Sequence, residues 1–141
     1  MWYILTIMSK NVLITGGSGG IGFAAAKYLI NQGYDVFALD IKPSNDFEHF
    51  HFIQTDLRSI QSVEDAFNHF KKNGIQLDAI IHLAGIYDLN SLVEMSEEDF
   101  VRSYDINLFG VYRVNKTFLP LLKEKSKIII TTSELATQDQ S

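Results

Sequence analysis

The chain has 141 residues, 46% hydrophobic and 21% charged, the balance of an ordinary soluble globule long enough for one domain with a real core. It holds no cysteine, which excludes a disulfide framework, a thiolate metal site and a cysteine nucleophile, and favours the cytoplasm. The formal charge of −5, with no run of Lys and Arg, argues against a nucleic-acid surface, so an anionic ligand has to be attracted locally, by backbone N–H groups.

Met1 to Met8 are apolar yet too short to span a bilayer, and neither a basic leader nor a small-residue cleavage site accompanies them. Residues 1–10 read as an N-terminal extension, either an upstream start ahead of Met8-Ser9-Lys10 or a segment packed on the sheet. Residues 11–141 read as one domain without repeat, linker or membrane role. The apolar run Val12-Leu13-Ile14 predicts a strand near 11–15. It leads into Thr15-Gly16-Gly17-Ser18-Gly19-Gly20-Ile21-Gly22, which holds five of the nine glycines, and then into the helix formers Phe23 to Leu29. Further apolar runs predict strands near 35–40, 50–55, 78–83 and 127–132, with helices near 20–32, 60–72, 97–104 and 107–123. Gly33 and Gly74 stand where helices end, Ser62 and Ser96 precede acidic residues as helix starts do, and Pro120 marks a kink or early stop. Such alternation implies an α/β fold, a doubly wound parallel sheet with right-handed crossovers, and the glycine-rich turn makes it Rossmann-type, for which about five strands in the order 3-2-1-4-5 are expected.

A strand that ends in clustered glycines and continues into a helix is built to hold a phosphate. The glycines let main chain turn and approach a ligand with no Cβ between them. The helix aims unpaired N–H groups and the positive end of its dipole at the same spot. The spacing Thr15-Gly16-x-x-x-Gly20-x-Gly22, with Asp40 closing the next strand, meets the requirements of a dinucleotide fingerprint. Asp40 follows Gly22 by eighteen residues (40 − 22), at a place from which a carboxylate accepts both ribose hydroxyls of an adenosine. It would repel a 2′-phosphate, which favours NAD, while the nearby Lys42 leaves NADP as an alternative. His49 and His51 flank Phe50 and would point the same way on a strand, but two ligands fall short of a metal site and no metal is expected. His69 and His82 read as surface and near-core residues.

Four further segments carry a pattern: Thr55-Asp56-Leu57, His82-Leu83-Ala84-Gly85, Asp105-Ile106-Asn107-Leu108-Phe109-Gly110, and Lys127-Ile128-Ile129-Ile130-Thr131-Thr132-Ser133. Together with the glycine turn they resemble the short-chain dehydrogenase/reductase family, over nearly the whole chain from Val12 onward. The resemblance implies a nicotinamide cofactor bound by Gly16, Ser18, Gly20, Ile21, Gly22, Asp40, Asp56, Leu57, Ala84 and Gly85, with the Asp56 side chain and the next N–H at the adenine. It implies hydride transfer to or from a small alcohol or ketone, and two catalytic residues. Ser133 would donate to the substrate oxygen, and Asn107 would hold a water. It also implies a homodimer or larger assembly through the helix at 107–123, whose apolar residues are spread too widely for one contact face, through the uncovered edge of the fifth strand, or through both. On residue type alone, Asn107 is equally a helix cap and Ser133 an ordinary strand-end residue.

Two departures stand out. His82 and Leu83 replace both asparagines of the family's Asn-Asn-Ala-Gly element, which reads more like the nucleotide-sugar epimerase branch, whereas the Asn107 segment pulls the other way. The family's Tyr-x-x-x-Lys acid–base pair follows the serine by a dozen or so residues, and none of Glu134 to Ser141 is Tyr or Lys. The expectation is therefore a C-terminally truncated oxidoreductase, nearly inactive as it stands. A non-catalytic dinucleotide-binding module and a nucleotide-sugar epimerase or dehydratase are the alternatives.

Overall fold

The structure, a computed structural model, describes residues 10–133. Five strands, β1 (Lys10–Thr15), β2 (Tyr34–Asp40), β3 (Phe50–Gln54), β4 (Leu77–His82) and β5 (Leu122–Ile130), form one parallel sheet in the order β3-β2-β1-β4-β5. The expected order therefore holds. Helices α1 (Gly20–Asn31), α2 (Ile60–Lys72), α3 (Glu97–Tyr104) and α4 (Gly110–Phe118) connect the strands.

β1, β2 and β4 carry apolar runs because both faces of the sheet are covered there, whereas β5 is largely exposed. Leu13, Phe37, Leu39, Leu77 and Ile80 pack on one face with Val63 and Phe70 of α2 and Val114 and Phe118 of α4. On the opposite face Val12, Ile14, Val36, Ala38 and Phe50 meet Ala26 of α1. No helix crosses from β2 to β3. Phe47 from that connection stacks on Phe50 with ring centroids 4.6 Å apart and meets Phe23 of α1 edge-on, capping the strand edge instead.

The helix ends follow local chemistry. Gly33 and Gly74, both at positive φ, follow the last residues of α1 and α2. Ser96 caps α3 by accepting from the Asp99 N–H at 3.1 Å. Ser59, not Ser62, caps α2. The Ser62 N–H donates to the Ser59 hydroxyl, and the Ser62 hydroxyl accepts from the Asp56 N–H at 3.0 Å.

The expected break between helices at 104–107 is absent. Tyr104 and Asp105 keep helical backbone angles, and one π-turn (Asp105–Phe109) joins α3 to α4, since no proline or glycine interrupts the run before Gly110. Asn107 therefore lies inside a continuous rod and caps nothing. The rod stops at Phe118, ahead of a 3₁₀ turn (Leu119–Leu121) that carries Pro120, so β5 starts at Leu122 rather than near 127. β5 reaches its regular register through a bulge, in which β4 advances from Leu77 to Ala79 while β5 advances from Leu122 to Lys127, with Lys125 at φ +62°.

Candidate dinucleotide site

The carboxyl ends of β1, β2, β3 and β4 converge on a cleft of about 570 Å³. At the end of β1, Gly16 (φ +72°) donates its N–H to the Leu39 carbonyl at 2.8 Å, and a Cβ there would stand 2.8 Å from Ala84 Cα. A Cβ on Gly22, in the first turn of α1, would fall on the Gly16 carbonyl. Main chain from the turn, the helix and the β4 loop thus approach closer than any side chain allows. Among the described residues no side chain caps the start of α1. Its cap residue Gly19 has no side chain to accept from the first turn, and no acid stands there. By contrast, α2 and α3 are capped by Ser59 and Ser96, and α3 carries three acids in its first turn.

Ser18 sits within this turn. Its N–H donates to Asp40 Oδ2 at 3.1 Å, and its buried hydroxyl has no partner among the described residues. A buried hydroxyl without a partner costs free energy unless a ligand or water completes it. Asp40 Oδ1 accepts from the Lys42 N–H at 3.0 Å, so the carboxylate ties the end of β2 to the glycine turn. The Thr15 hydroxyl accepts from the Ala84 N–H at 3.2 Å and ties β1 to the β4 loop.

Gly16, Asp40, Asp56, Leu57, Ala84 and Gly85 line the cleft. Ser18, Gly20, Ile21 and Gly22 belong to the adjoining turn and the first turn of α1. Residue types alone did not single out Arg58, which lines the same wall and grips Asp56 with Nε at 3.0 Å from Oδ1 and Nη2 at 2.8 Å from Oδ2. That guanidinium beside Asp56 holds its carboxyl below the usual carboxylate range. Nor did they reveal Thr15 as a lock, or Gly17, whose added Cβ would stand 2.7 Å from Ala38 Cβ. The doubled glycine at 16–17 was the only sequence signal for the latter.

Asn107 points its side chain at one residue. Its Oδ1 accepts from the Ile86 N–H at 2.8 Å and its Nδ2 donates to the Ile86 carbonyl at 2.9 Å, which fixes the loop after Gly85. Ser133 is exposed beyond the carboxyl end of β5, whose Ile130 pairs with His82. His82 is buried beneath α4, with Nε2 2.8 Å from Asn115 Oδ1, and burial pushes its pKa down. His49 and His51 both face Asp35 Oδ1, at 3.0 and 3.4 Å, near the opposite end of β2. Hydrogen bonding to Asp35 raises the His49 pKa.

A glycine turn after β1, an acid closing β2 and a cleft across the strand ends, on a sheet ordered 3-2-1-4-5, define a Rossmann-type domain. A model of the short chain dehydrogenase family matches residues 10–141, and the chain belongs to that family. It is 35% identical over 140 residues to an NADPH-dependent pterin aldehyde reductase from Arabidopsis thaliana, which covers 90% of this chain and 57% of that protein. Among solved structures it resembles a short chain dehydrogenase family protein from Francisella tularensis (TM-score 0.85, 28% identity, 94% of this chain and 55% of that one). It also resembles a short chain dehydrogenase from Leptospira borgpetersenii with bound NAD+ (TM-score 0.75, 28% identity, 81% and 46%). The chain spans about half the length of the curated relatives it matches. Among the described residues no helix is long and apolar enough to cross a membrane, and no group of three metal-ligating side chains stands together.

Proposed function

We propose that the chain binds a nicotinamide dinucleotide across the strand ends and serves an NAD(P)-dependent oxidoreductase acting on a small alcohol or ketone. The buried Ser18 hydroxyl, without a partner among the described residues, carries this reading, because it lies where Gly16 and Gly22 leave room for no side chain and no described side chain caps the N-terminus of α1. The residues fit such a ligand. Ser18 and the first N–H groups of α1 would hold its pyrophosphate, Asp40 its ribose, and Asp56 and Leu57 its adenine. When bound, the cofactor supplies a hydride acceptor or donor at its nicotinamide. Ala84 and Gly85 give main chain a close approach on the β4 side, and Asn107 holds their loop in place through Ile86. Asn107 is thus a positioning residue in this reading, and its remaining N–H and oxygen lone pair leave it able to hold a water as well. Ser133, which stands beyond the carboxyl end of β5 and does not line the cleft, is assigned to donate to a carbonyl oxygen of the substrate.

Asp40 favours NAD over NADP, for a carboxylate there repels a 2′-phosphate. Residues 134–141 supply neither tyrosine nor lysine, so a polypeptide of these 141 residues is expected to bind cofactor and turn over little, losing about 10²–10⁴-fold from missing acid–base catalysis. Phe100, Tyr104, Leu108 and Tyr112 recur every four residues along the α3–α4 rod, and all four are half exposed. This stripe is the assigned face of a homodimer. Calorimetry with NADH and NADPH tests the binding reading, and an absence of heat with both ends it. Sedimentation that gives only a 16.0 kDa monomer at high concentration ends the dimer.

A further inference from the structure

We propose that Arg58 is a specificity-determining residue that reads the purine of the bound dinucleotide jointly with Asp56, the pair presenting an acceptor and a donor side by side to the amine edge of adenine. This rests on the cofactor reading above and adds to it a residue and a selectivity.

Asp56 Oδ1 already accepts two N–H groups, from the Arg58 backbone at 2.9 Å and from Nε at 3.0 Å, while Oδ2 accepts one, from Nη2 at 2.8 Å. A carboxylate offers about four acceptor sites and a guanidinium five N–H groups, so Oδ2 keeps one acceptor position and Nη2 one N–H. These two free functions are neighbours, and both residues line the cleft. The planar fork pins them against rotation, and the attraction between the two groups keeps Asp56 ionised. An acceptor beside a donor is what a carboxamide offers when it pairs with adenine through the N6 amine and a ring nitrogen. A base that carries a keto oxygen in place of the amine turns an acceptor toward Oδ2 and loses that match.

The test is calorimetric titration of the protein and its Arg58→Ala and Arg58→Gln variants with NAD, its hypoxanthine analogue and nicotinamide mononucleotide. The unsubstituted protein should prefer NAD to the hypoxanthine analogue. Arg58→Ala should weaken NAD by about tenfold while changing the analogue and the mononucleotide little, so that the preference shrinks. Arg58→Gln, which keeps a donor, should recover part of the loss. An Arg58→Ala variant with the original preference overturns the inference while the cofactor reading stands. Equal weakening of all three ligands also overturns it, since that marks a role in folding alone. Failure of the unsubstituted protein to bind any of the three removes the cofactor reading, and this inference with it.

Discussion

Asp40 offers the sharpest test of how the sheet edge chooses a cofactor. Its carboxylate accepts two backbone N–H groups, Ser18 at 3.1 Å and Lys42 at 3.0 Å. Replacing it with Ala therefore loosens the glycine turn as well as removing the proposed ribose partner. Losing two half-exposed, charge-assisted bonds costs roughly 1–3 kcal/mol of stability, and any weakening of the turn falls on both cofactors alike. The informative quantity is consequently the ratio of the two affinities, and the better variant is Asp40→Asn, which keeps an acceptor for Ser18. A 2′-phosphate about 5 Å from a carboxylate near the surface meets roughly 3 kcal/mol of repulsion per unit charge at an effective dielectric constant of about 20, less after salt screening. Removing the charge should also cost NADH roughly 1 kcal/mol at the ribose hydroxyls. The expected shift is about 10–100-fold in the NADPH-to-NADH affinity ratio, read by fluorescence titration at fixed ionic strength. Equal losses for both cofactors in Asp40→Asn would refute the electrostatic assignment.

Gly22→Ala places a methyl group on the Gly16 carbonyl, so it should lower thermal stability by about 3 kcal/mol or more and abolish dinucleotide binding. A variant with unchanged melting temperature would mean that the turn is not packed as described. Asn107→Ala removes both bonds to Ile86 and should cost roughly 1–2 kcal/mol in denaturant unfolding, with Asn107→Asp intermediate because it retains the acceptor for the Ile86 N–H. His82 has a pKa below its usual 6.5 through burial, so below about pH 6.5 the unfolded chain takes up a proton that the folded one refuses. Stability should fall as pH drops from there toward the folded pKa, by up to about 1.4 kcal/mol per pH unit, and His82→Asn should flatten that limb in urea titrations. His49 has the opposite sign. Its raised pKa contributes stability that is complete below about 6.5 and lost as pH rises through the folded value, so Asp35→Asn should remove a small alkaline loss.

β1, β2 and β4 could be read from the sequence because each carries an apolar run between turn residues, as a parallel sheet with covered faces demands, and the strand order followed from the dinucleotide-type fold that the glycine turn and Asp40 mark. Val12-Leu13-Ile14 and the run into Asp40 show this best. The join at 105–109 could not, since a π-turn is set by packing rather than by residue preference, and Asn107 reads as a cap wherever a helix is assumed to begin. The start of β5 was hidden by the polar stretch Lys123-Glu124-Lys125-Ser126, which pairs only through a bulge and a left-handed Lys125. The residues that the motif proposes for a cofactor lie together at the carboxyl ends of the strands and the start of α1, because a glycine turn fixes its own geometry. Arg58 stayed invisible, as its meaning comes from the direction of a flexible side chain.

What the described residues assemble is a set of strand ends tied in pairs: Thr15 to Ala84 between β1 and the β4 loop, Asp40 to Ser18 between β2 and the glycine turn, Asn107 to Ile86 between the helical rod and the β4 loop. Each tie uses a short polar side chain on a backbone group, so the cleft is held open by bonds that need no ligand. The Ser18 hydroxyl and the first turn of α1 are exceptions, left without protein partners where the ties converge. Preorganisation of this kind places the ordering cost in folding rather than in binding. An anion can then be drawn into a chain of net charge −5 because only local dipoles, already aimed, have to outweigh the distant negative field.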